Sequence, residues 1–256
     1  MAKRRAEDAR LSPGERAFLD QYDASVFERP SLAVDVVLLT ASEGELHVLV
    51  IRRQEHPHKG KWSLPGGFVG MEESPDGAAD RVIAEKAGLT RVFVEQLYTF
   101  GEVDRDPRTR VISVAYYALV DSARVLGAPA NEDADRCIAR VVVPWEGETG
   151  GTAMVVDDAD ERLPLAFDHD DILSMAVKRI RGKLNYSPIG FQLLPKTFTL
   201  RRLQLVHETI LGRPLNKDAF RRRMLATGLL DPTGEREREV GHRPAELYRF
   251  TTKSAV

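Results

Sequence analysis

From Gly66 to Leu89 the chain reads GGFVGMEESPDGAADRVIAEKAGL, and its glycines, acids and one lysine are spaced for phosphate chemistry. Gly66 and Gly67 permit close approach of the backbone to a phosphate. Ser74 suits a helix N-cap, Pro75 the first helical position and Gly88 a left-handed C-terminal cap, so a helix is expected over about 75–87. Positions 82, 85 and 86 then stand at i, i+3 and i+4 and share one helix face. Three carboxylates there would bind Mg²⁺, a hard cation that prefers oxygen, neutralises a pyrophosphate and helps activate water. This chain has Val82, Glu85 and Lys86 instead. Val82 offers no oxygen, and Lys86 brings a cation to the place of one. With Glu73 in the preceding loop, Glu85 makes a weak metal site. Lys86 is suited to meet a phosphate directly, as a point charge. Ala78, Ala79, Val82 and Ile83 also form an ordinary apolar stripe, by which Val82 is simply core.

The same residues carry a resemblance. Gly67, Glu73, Arg81, Ile83, Glu85, Gly88 and Leu89 fit the box of the Nudix hydrolases, G-x5-E-x7-R-E-U-x-E-E-x-G-U with U a bulky aliphatic residue. Val82 and Lys86 replace two of its glutamates. The similarity spans about residues 30–184, KGKWSLPGGF included. It implies an α/β/α sandwich and a pocket for a pyrophosphate-bearing ligand. Arg53 then ends a strand beside the pocket, Glu85 and Lys86 lie on its helix wall, and Arg81, counted with them among the ligand contacts, most often acts structurally in that family by bonding the loop glutamate, here Glu73. In the loop VDRDPRTR, Arg105 or Arg108 reaches phosphate, unless both are taken by ion pairs with Asp104 and Asp106. Phe68, Tyr98 and Phe100 are the candidate platforms for an adenine ring. The expected outcome is binding without cleavage: no catalytic residue is assigned and no cofactor is required. Mg²⁺ enters only with residual hydrolysis, through Glu73 and Glu85.

The elements that must hold these residues are readable in outline. A short helix is expected around Arg16–Tyr22, after a charged stretch, 1–12, that reads as disordered. LAVDVVLLT (32–40) and ELHVLVIRR (45–53) are strands joined by a turn-like ASEG. KWSLPGGFV (61–69) leads into the box helix, RVFVEQLYTF and RVISVAYYALV flank a polar loop, and ARVVVPW (139–145) is a further strand before a GETGG loop (147–151). DILSMAVKRIRGKL (171–184) has amphipathic helical spacing, with Asp170 or Asp171 near its start.

A chain of 256 residues with 43% hydrophobic and 30% charged content is a soluble globular protein large enough for two domains. No apolar run approaches a membrane span, and MAKRRAEDAR is not followed by an apolar segment, so neither a membrane partner nor secretion is expected. One cysteine, Cys137, excludes an intrachain disulfide and reads as a small buried hydrophobe. A cytoplasmic setting follows. The net charge of −2 hides an asymmetry: from Thr197 onward there are 12 Lys+Arg against 7 Asp+Glu, a net of +5, which leaves −7 on the remainder. A basic small module on an acidic large one points to a polyanion partner for the former.

That module begins after a turn cluster, NYSPIG (185–190), and an expected short strand, FQLLP (191–195). Thr199 caps a helix with Phe198 and Leu203 at its hydrophobic-staple positions; Leu203, Val206 and Ile210 form its buried stripe, and Gly212 ends it. Asn216 caps a second helix, with Phe220 and Met224 inward and Lys217 and Arg221 on another face. LLDPTGE and PAELYRF can pair as a hairpin around EREREVGHR. Helix, short turn, helix and hairpin is a winged helix-turn-helix plan, with the second helix placed for the major groove. The candidate DNA contacts are Thr199 and Arg201, then Asn216, Lys217, Arg221 and Arg222, with Arg223 beside them, and Arg238, His242 and Arg243 at the wing. A solvated basic face that docks a protein is the blander reading of the same residues.

A Nudix-like segment followed by a winged helix resembles the NrtR family of Nudix-related regulators of bacterial NAD metabolism. LAFDHDDIL, LNYSPIGFQLLPKTFTLRRLQLVHETILG, FRRRML and GHRPAELYRF carry this resemblance. It implies a homodimeric repressor on a palindromic operator of NAD biosynthesis or salvage genes, sensing ADP-ribose or a related nucleotide. The expected domains are an N-terminal extension (1–29), a sensing domain (30–184, with helix 171–184 as linker) and the winged helix (185–256). The alternative is an Mg²⁺-dependent ADP-ribose pyrophosphatase with an accessory C-terminal domain. It would take its metal on Glu85, Glu73 and a loop acid such as Asp157 or Asp158.

Overall fold

The computed structural model describes residues 11–128, 135–147, 150–184, 187–238, 241 and 243–251. It divides into two compact units, one ending at Pro30 and one beginning at Ser31. In the first, helix α1 (Pro13–Gln21) starts on a capping box: the Ser12 hydroxyl accepts from the Glu15 N–H, and the Glu15 carboxylate accepts from the Ser12 N–H. The helix therefore takes Ser12 out of the segment expected to be disordered, whose residues 1–10 lie outside the described residues.

The second unit is built on a mixed sheet. Its strands are β1 (Ser31–Ser42), β2 (Glu45–Arg52), β3 (Trp62–Ser63), β4 (Gly66–Phe68), β5 (Val94–Phe100), β6 (Val111–Leu119), β7 (Arg136–Val142) and β8 (Met154–Val156). They run in the order β5-β6-β1-β2-β7-β8, with β3 added to β2 and β4 to β1; β1 and β6 are parallel. Strand β1 sits mid-sheet and is buried on both faces, which its unbroken apolar run requires. One face carries Val34, Val36 and Leu38 against Ala78, Ala79 and Val82 of α2 (Pro75–Val82). The other carries Val37 and Leu39 against Ile172, Ala176 and Ile180 of α4 (His169–Lys183). A short α3 (Ser122–Leu126) precedes β7. The result is the expected α/β/α sandwich.

Four local expectations change. The run 61–69 is split at Leu64–Pro65: Pro65 has no N–H to donate, and β3 pairs with β2 while β4 pairs with β1. FQLLP is not a strand. Pro188–Leu193 forms a 3-10 turn that buries Ile189 and Leu193, with Pro188 at its first position. The linker helix starts earlier, at His169, with Asp168 at its N-cap position. The box helix is α-helical only to Val82 and closes through a π turn, Ile83–Ala87, into a left-handed Gly88 at φ 67°.

The winged helix follows as α5 (Leu200–Leu211), α6 (Lys217–Ala226), β9 (Leu230–Arg236) and β10 (Glu246–Phe250). Its core is not separate. Leu203, Val206, Ile210, Phe220, Met224 and Tyr248 belong to the same apolar cluster as Val37, Leu39 and the buried face of α4. Truncating a fully buried residue at this junction, such as Leu203→Ala, costs about 2–5 kcal/mol.

Candidate ligand pocket and nucleic-acid interface

A cavity of about 660 Å³ opens where β1, β4, the π turn, the loop after β5 and the start of α4 converge. That volume is typical of small-molecule sites. Its floor is a buried polar network centred on Asp35, the one charge in the apolar strand β1. Ser113 donates to Asp35 Oδ2 at 2.6 Å and Arg105 reaches the same oxygen at 3.3 Å. Arg105 also forks onto Asp168, at 2.8 and 2.6 Å. The Leu64 N–H donates to His169 Nδ1 at 2.9 Å, so the proton of the neutral ring sits on Nε2, which faces Asp35 Oδ1 at 3.4 Å. Burial by itself would raise the Asp35 carboxyl; His169, Ser113 and Arg105 outweigh it and hold the group well below the usual carboxylate range. Gly66 is fixed by this network: a Cβ there would lie 2.3 Å from Asp35 Oδ1.

Above the floor, two cations have no carboxylate partner within ion-pair distance among the described residues. Lys86 donates to the Gly66 carbonyl, and Arg53 Nε donates to the Pro57 carbonyl at 2.8 Å. Burial is the largest influence on both and lowers both pKa values. An incoming anion would relieve that cost. Arg108 is half-exposed and bonded to Asp106 through its backbone N–H, Nε and a terminal nitrogen.

Arg53, Gly66, Gly67, Phe68, Glu85, Lys86, Arg105 and Arg108 all line the cavity. Arg81 does not line it. Its guanidinium holds both oxygens of Glu73, at 3.0 and 2.6 Å, and reaches Glu85 and the Phe68 carbonyl. That is the structural role the resemblance implied, and Arg81 drops out as a ligand contact. Arg105 is a wall rather than a free cation, because its side chain is 4% exposed and spent on Asp168 and Asp35, not on Asp104 or Asp106. Arg108 does pair with Asp106. Val82 is fully buried, its side chain 3.4 Å from where a Cβ on Gly67 would lie, while Glu85 and Lys86, in the π turn, line the cavity. Tyr98 and Phe100 pair edge-on with each other on β5, away from the cavity lining.

Sequence reasoning missed Asp35, Ser113, Asp168, His169 and Phe167. A lone Asp inside an apolar strand was the available signal for the first, since a buried charge needs partners. Phe167 lines the cavity with a left-handed backbone, φ 56°, beneath Arg53, whose guanidinium carbon is 4.8 Å from the ring centroid.

The acids that could hold Mg²⁺ already have partners within the chain. Glu73 is held by Arg81 and the Gly70 N–H, which keep its pKa down at about 2. Lys86 places an ammonium on the Gly66 carbonyl oxygen. Asp157 accepts from the N–H groups of Ala159 and Glu161 in its own turn, and neither it nor Asp158 lines the cavity. Among the described residues no cluster of three or more His, Cys, Asp or Glu side chains is placed to hold a metal.

The C-terminal module presents its charges outward. Thr199 caps α5 by accepting from the Arg202 N–H, with Phe198 and Leu203 both buried at the staple positions. Its side chain is buried and committed, which removes the Thr199 hydroxyl from the candidate DNA contacts. Buried Gln204 and the Glu208 carboxylate brace the turn: Gln204 donates to the Leu215 carbonyl at 3.0 Å, and Glu208 accepts from the Leu215 N–H at 2.9 Å. Arg201 is exposed and lies 3.3 Å from Glu208. Asn216 caps α6, which buries Phe220 and Met224 and exposes Lys217, Arg221 and Arg222. Strands β9 and β10 form the wing, extended by a bridge between Phe198 and Tyr248. Arg238 and Arg243 are exposed there, and His242 lies outside the described residues. Among the described residues no helix is long and apolar enough to cross a membrane.

Known proteins match in the same two parts. The family model of the NrtR DNA-binding winged helix domain matches residues 190–250, and that of the NUDIX domain matches residues 29–148. The chain is 35% identical over 238 residues to the ADPR responsive transcriptional repressor NtrR of Acinetobacter baylyi, covering 92% of this chain and 88% of that protein. It is 36% identical over 150 residues to the ADP-ribose pyrophosphatase of Methanocaldococcus jannaschii, covering 58% and 73% respectively. The crystal structure of Shewanella oneidensis NrtR complexed with a 27mer DNA is similar at 35% identity and a TM-score of 0.71, over 86% of this chain and 93% of that one.

Proposed function

This chain belongs to the NrtR family of Nudix-related regulators, and on that premise we propose that it is a repressor that binds ADP-ribose in its Nudix cavity and double-stranded DNA through its winged helix. The observation that carries the reading is the pairing pattern of the cavity. Glu73 is neutralised by Arg81, while Arg53 and Lys86 face the space with no carboxylate within ion-pair distance among the described residues. Such a site attracts a pyrophosphate and lacks the oxygens to hold the metal that would cleave it, so the ligand is bound and left intact. The relative's description as ADPR responsive supports ADP-ribose as that ligand.

The three segments are an N-terminal extension (1–29), a sensing domain (30–184) and a winged helix (185–256). The protein acts in the cytoplasm as a homodimer, with two α6 helices reading the half-sites of a palindrome near genes of NAD synthesis or salvage. Arg201, Asn216, Lys217, Arg221, Arg222, Arg238, His242 and Arg243 supply the contacts to DNA.

Helix α4 couples the two sites. At its start, Asp168 and His169 belong to the cavity network. Near its end, buried Arg181 donates to the carbonyls of Ile210, at the end of α5, and of Trp145. Twelve residues of helix separate His169 from Arg181, a rise of about 18 Å. A ligand that prefers one seating of α4 shifts the winged helix; a tenfold release of DNA needs a coupling of about 1.4 kcal/mol. The test is fluorescence anisotropy on DNA from the chain's own upstream region, with and without saturating ADP-ribose. Unchanged DNA affinity excludes the mechanism. The identity to an ADP-ribose pyrophosphatase favours a second reading, hydrolysis; turnover of ADP-ribose with Mg²⁺ at ordinary enzyme rates, about 1–10³ s⁻¹, would replace the receptor reading with it.

A further inference from the structure

A second cavity, of about 450 Å³, shares no lining residue with the first. It lies where the β1–β2 hairpin, the end of β7, Arg181 of α4 and the turn after α5 meet. Its volume is in the range of small-molecule sites. Arg181 is 2% exposed, and every hydrogen bond of its guanidinium goes to a carbonyl oxygen. Nε donates to Ile210 at 2.8 Å, and Nη1 donates to Trp145 at 2.8 Å and Gly147 at 3.2 Å. The guanidinium carbon also lies 5.7 Å from the Trp145 ring centroid. Among the described residues, no carboxylate is within ion-pair distance of Arg181, and Nη2 donates to nothing. A Cβ on Gly212 would lie 3.0 Å from Nη2, so the left-handed glycine that ends α5 also leaves this nitrogen uncovered on the cavity wall. Burial lowers the pKa of Arg181, but a guanidinium keeps its proton, so a full charge is held here without a counter-charge among the described residues.

The rest of the wall leaves that charge unmatched. Arg213, just past α5, is exposed and has no ion-pair partner among the described residues. Arg140 pairs with Asp160, and the Glu208 carboxylate is committed to the Leu215 N–H, Gln204 and Arg201. Glu45, exposed at the start of β2, is the remaining acid of the lining. Thr209 adds a buried hydroxyl with no partner among the described residues. Two guanidinium groups against one exposed carboxylate favour an anion, and the planar fork of arginine matches the oxygens of a phosphate. We propose that this cavity binds a phosphate group, free or as the monoester of a small molecule, through Arg181 and Arg213. It takes a second ligand, additional to the one in the first cavity. Arg181 belongs to α4 and Arg213 to the turn that leads into α6, so one anion held by both ties the helix packed on the sheet to the winged helix. An anion that prefers one seating of these elements shifts their populations, and DNA affinity with them. That link to DNA rests on the repressor reading; the binding site does not. The chain then has two inputs: the first cavity acts on the start of α4 and the second acts near its end.

The test is calorimetric titration of the full chain with inorganic phosphate and with glycerol 3-phosphate, repeated on Arg213→Ala, Arg213→Lys and Lys86→Met. Arg213 is exposed, so its replacement should leave the fold intact. Phosphate held in the first cavity is lost in Lys86→Met. Phosphate held in the second should persist in Lys86→Met, weaken by about 10- to 100-fold in Arg213→Ala and be intermediate in Arg213→Lys. Either ranking of the two probes supports the site and says whether it takes the free anion or the ester. If no component of binding is kept in Lys86→Met and lost in Arg213→Ala, the second site is overturned. A component that emerges only in Glu148→Gln overturns it too, since the chain's own carboxylate then fills the place. At constant ionic strength, phosphate should shift affinity for DNA from the upstream region by about fivefold or more in the parent and not in Arg213→Ala. Binding without that shift would overturn the regulatory role of the site.

Discussion

Replacing Lys86 by Met removes one charge from the cavity and keeps most of the side-chain volume. In the ligand-free protein the ammonium is partly buried on the Gly66 carbonyl, and burial lowers its pKa, so the charge there is a cost to the fold. Lys86→Met should therefore leave the melting temperature unchanged or raise it. With a pyrophosphate in place the balance reverses. Two unit charges about 4 Å apart attract by about 4 kcal/mol at an effective dielectric constant of about 20. Desolvation of ammonium and phosphate takes back part of this, and a charge-assisted hydrogen bond is worth about 1.5–3 kcal/mol net. Affinity for ADP-ribose and for inorganic pyrophosphate should thus fall by about 10- to 100-fold. Titration calorimetry and thermal melts on parent and variant give both readouts. Their divergence is the signature: weaker binding without a weaker fold. Affinity within twofold of the parent would refute the assignment of Lys86 to phosphate, and a loss of affinity that tracks a fall in melting temperature would refute the reasoning about cost.

Four further outcomes follow from the same geometry. Val82→Glu with Lys86→Glu should make the melting temperature rise on adding Mg²⁺, which it should not do in the parent, although Val82→Glu alone should destabilise because that side chain is fully buried. Arg221→Ala and Arg222→Ala should each weaken DNA binding at all sequences or relax specificity at one base, and each lost phosphate contact should reduce the slope of log affinity against log salt by about 0.9; unchanged slopes and affinities would remove α6 from the interface. Arg181→Met should break the response rather than either binding event, so that ADP-ribose and DNA both bind but ADP-ribose no longer shifts DNA affinity; a normal shift would clear α4 of its coupling role. His207 is buried against Phe220, and burial, with Arg223 nearby, holds its imidazole down at about 4 against an ordinary 6.5. The folded ring stays neutral while the unfolded one takes a proton, so stability should be complete above pH 6.5 and decline as pH falls toward about 4. Urea midpoints for His207→Leu should show no such decline in that window.

Local signals carried the sequence reading well. Caps are short-range chemistry, and Ser74, Thr199, Asn216, Gly88 and Gly212 all occupy the end positions their types suggest. The Arg81–Glu73 bond was legible because both residues sit in one motif. The Asp35 network was not, because Ser113, Arg105 and His169 come from 70 or more residues away and only the sheet brings them together. Phe167 was hidden for the same reason: nothing local distinguishes a ring aimed into a cavity from one in the core. FQLLP failed as a strand because its apolar composition fits a compact turn equally well, and choosing between them needs the partner that a strand must have. The π turn that closes the box helix was not legible either, because a single hydrogen-bond shift leaves no mark in residue type.

The apolar cluster that runs without a break from the sheet through α4 into Ile210, Phe220 and Tyr248 has a thermodynamic consequence. A module joined by a flexible tether would melt on its own, and occupancy of a distant cavity would not protect it. Here the two parts share their interior, so they should unfold in one cooperative transition. Any molecule that binds the folded cavity then protects the wing against denaturation to the same extent, by about 2.7 kcal/mol at a hundredfold excess over its dissociation constant. Proteolysis at the wing thereby becomes a reporter of what sits beside Lys86. The same continuity means that this winged helix cannot be excised or grafted as a cassette without laying bare the surface that now joins it to its sensor.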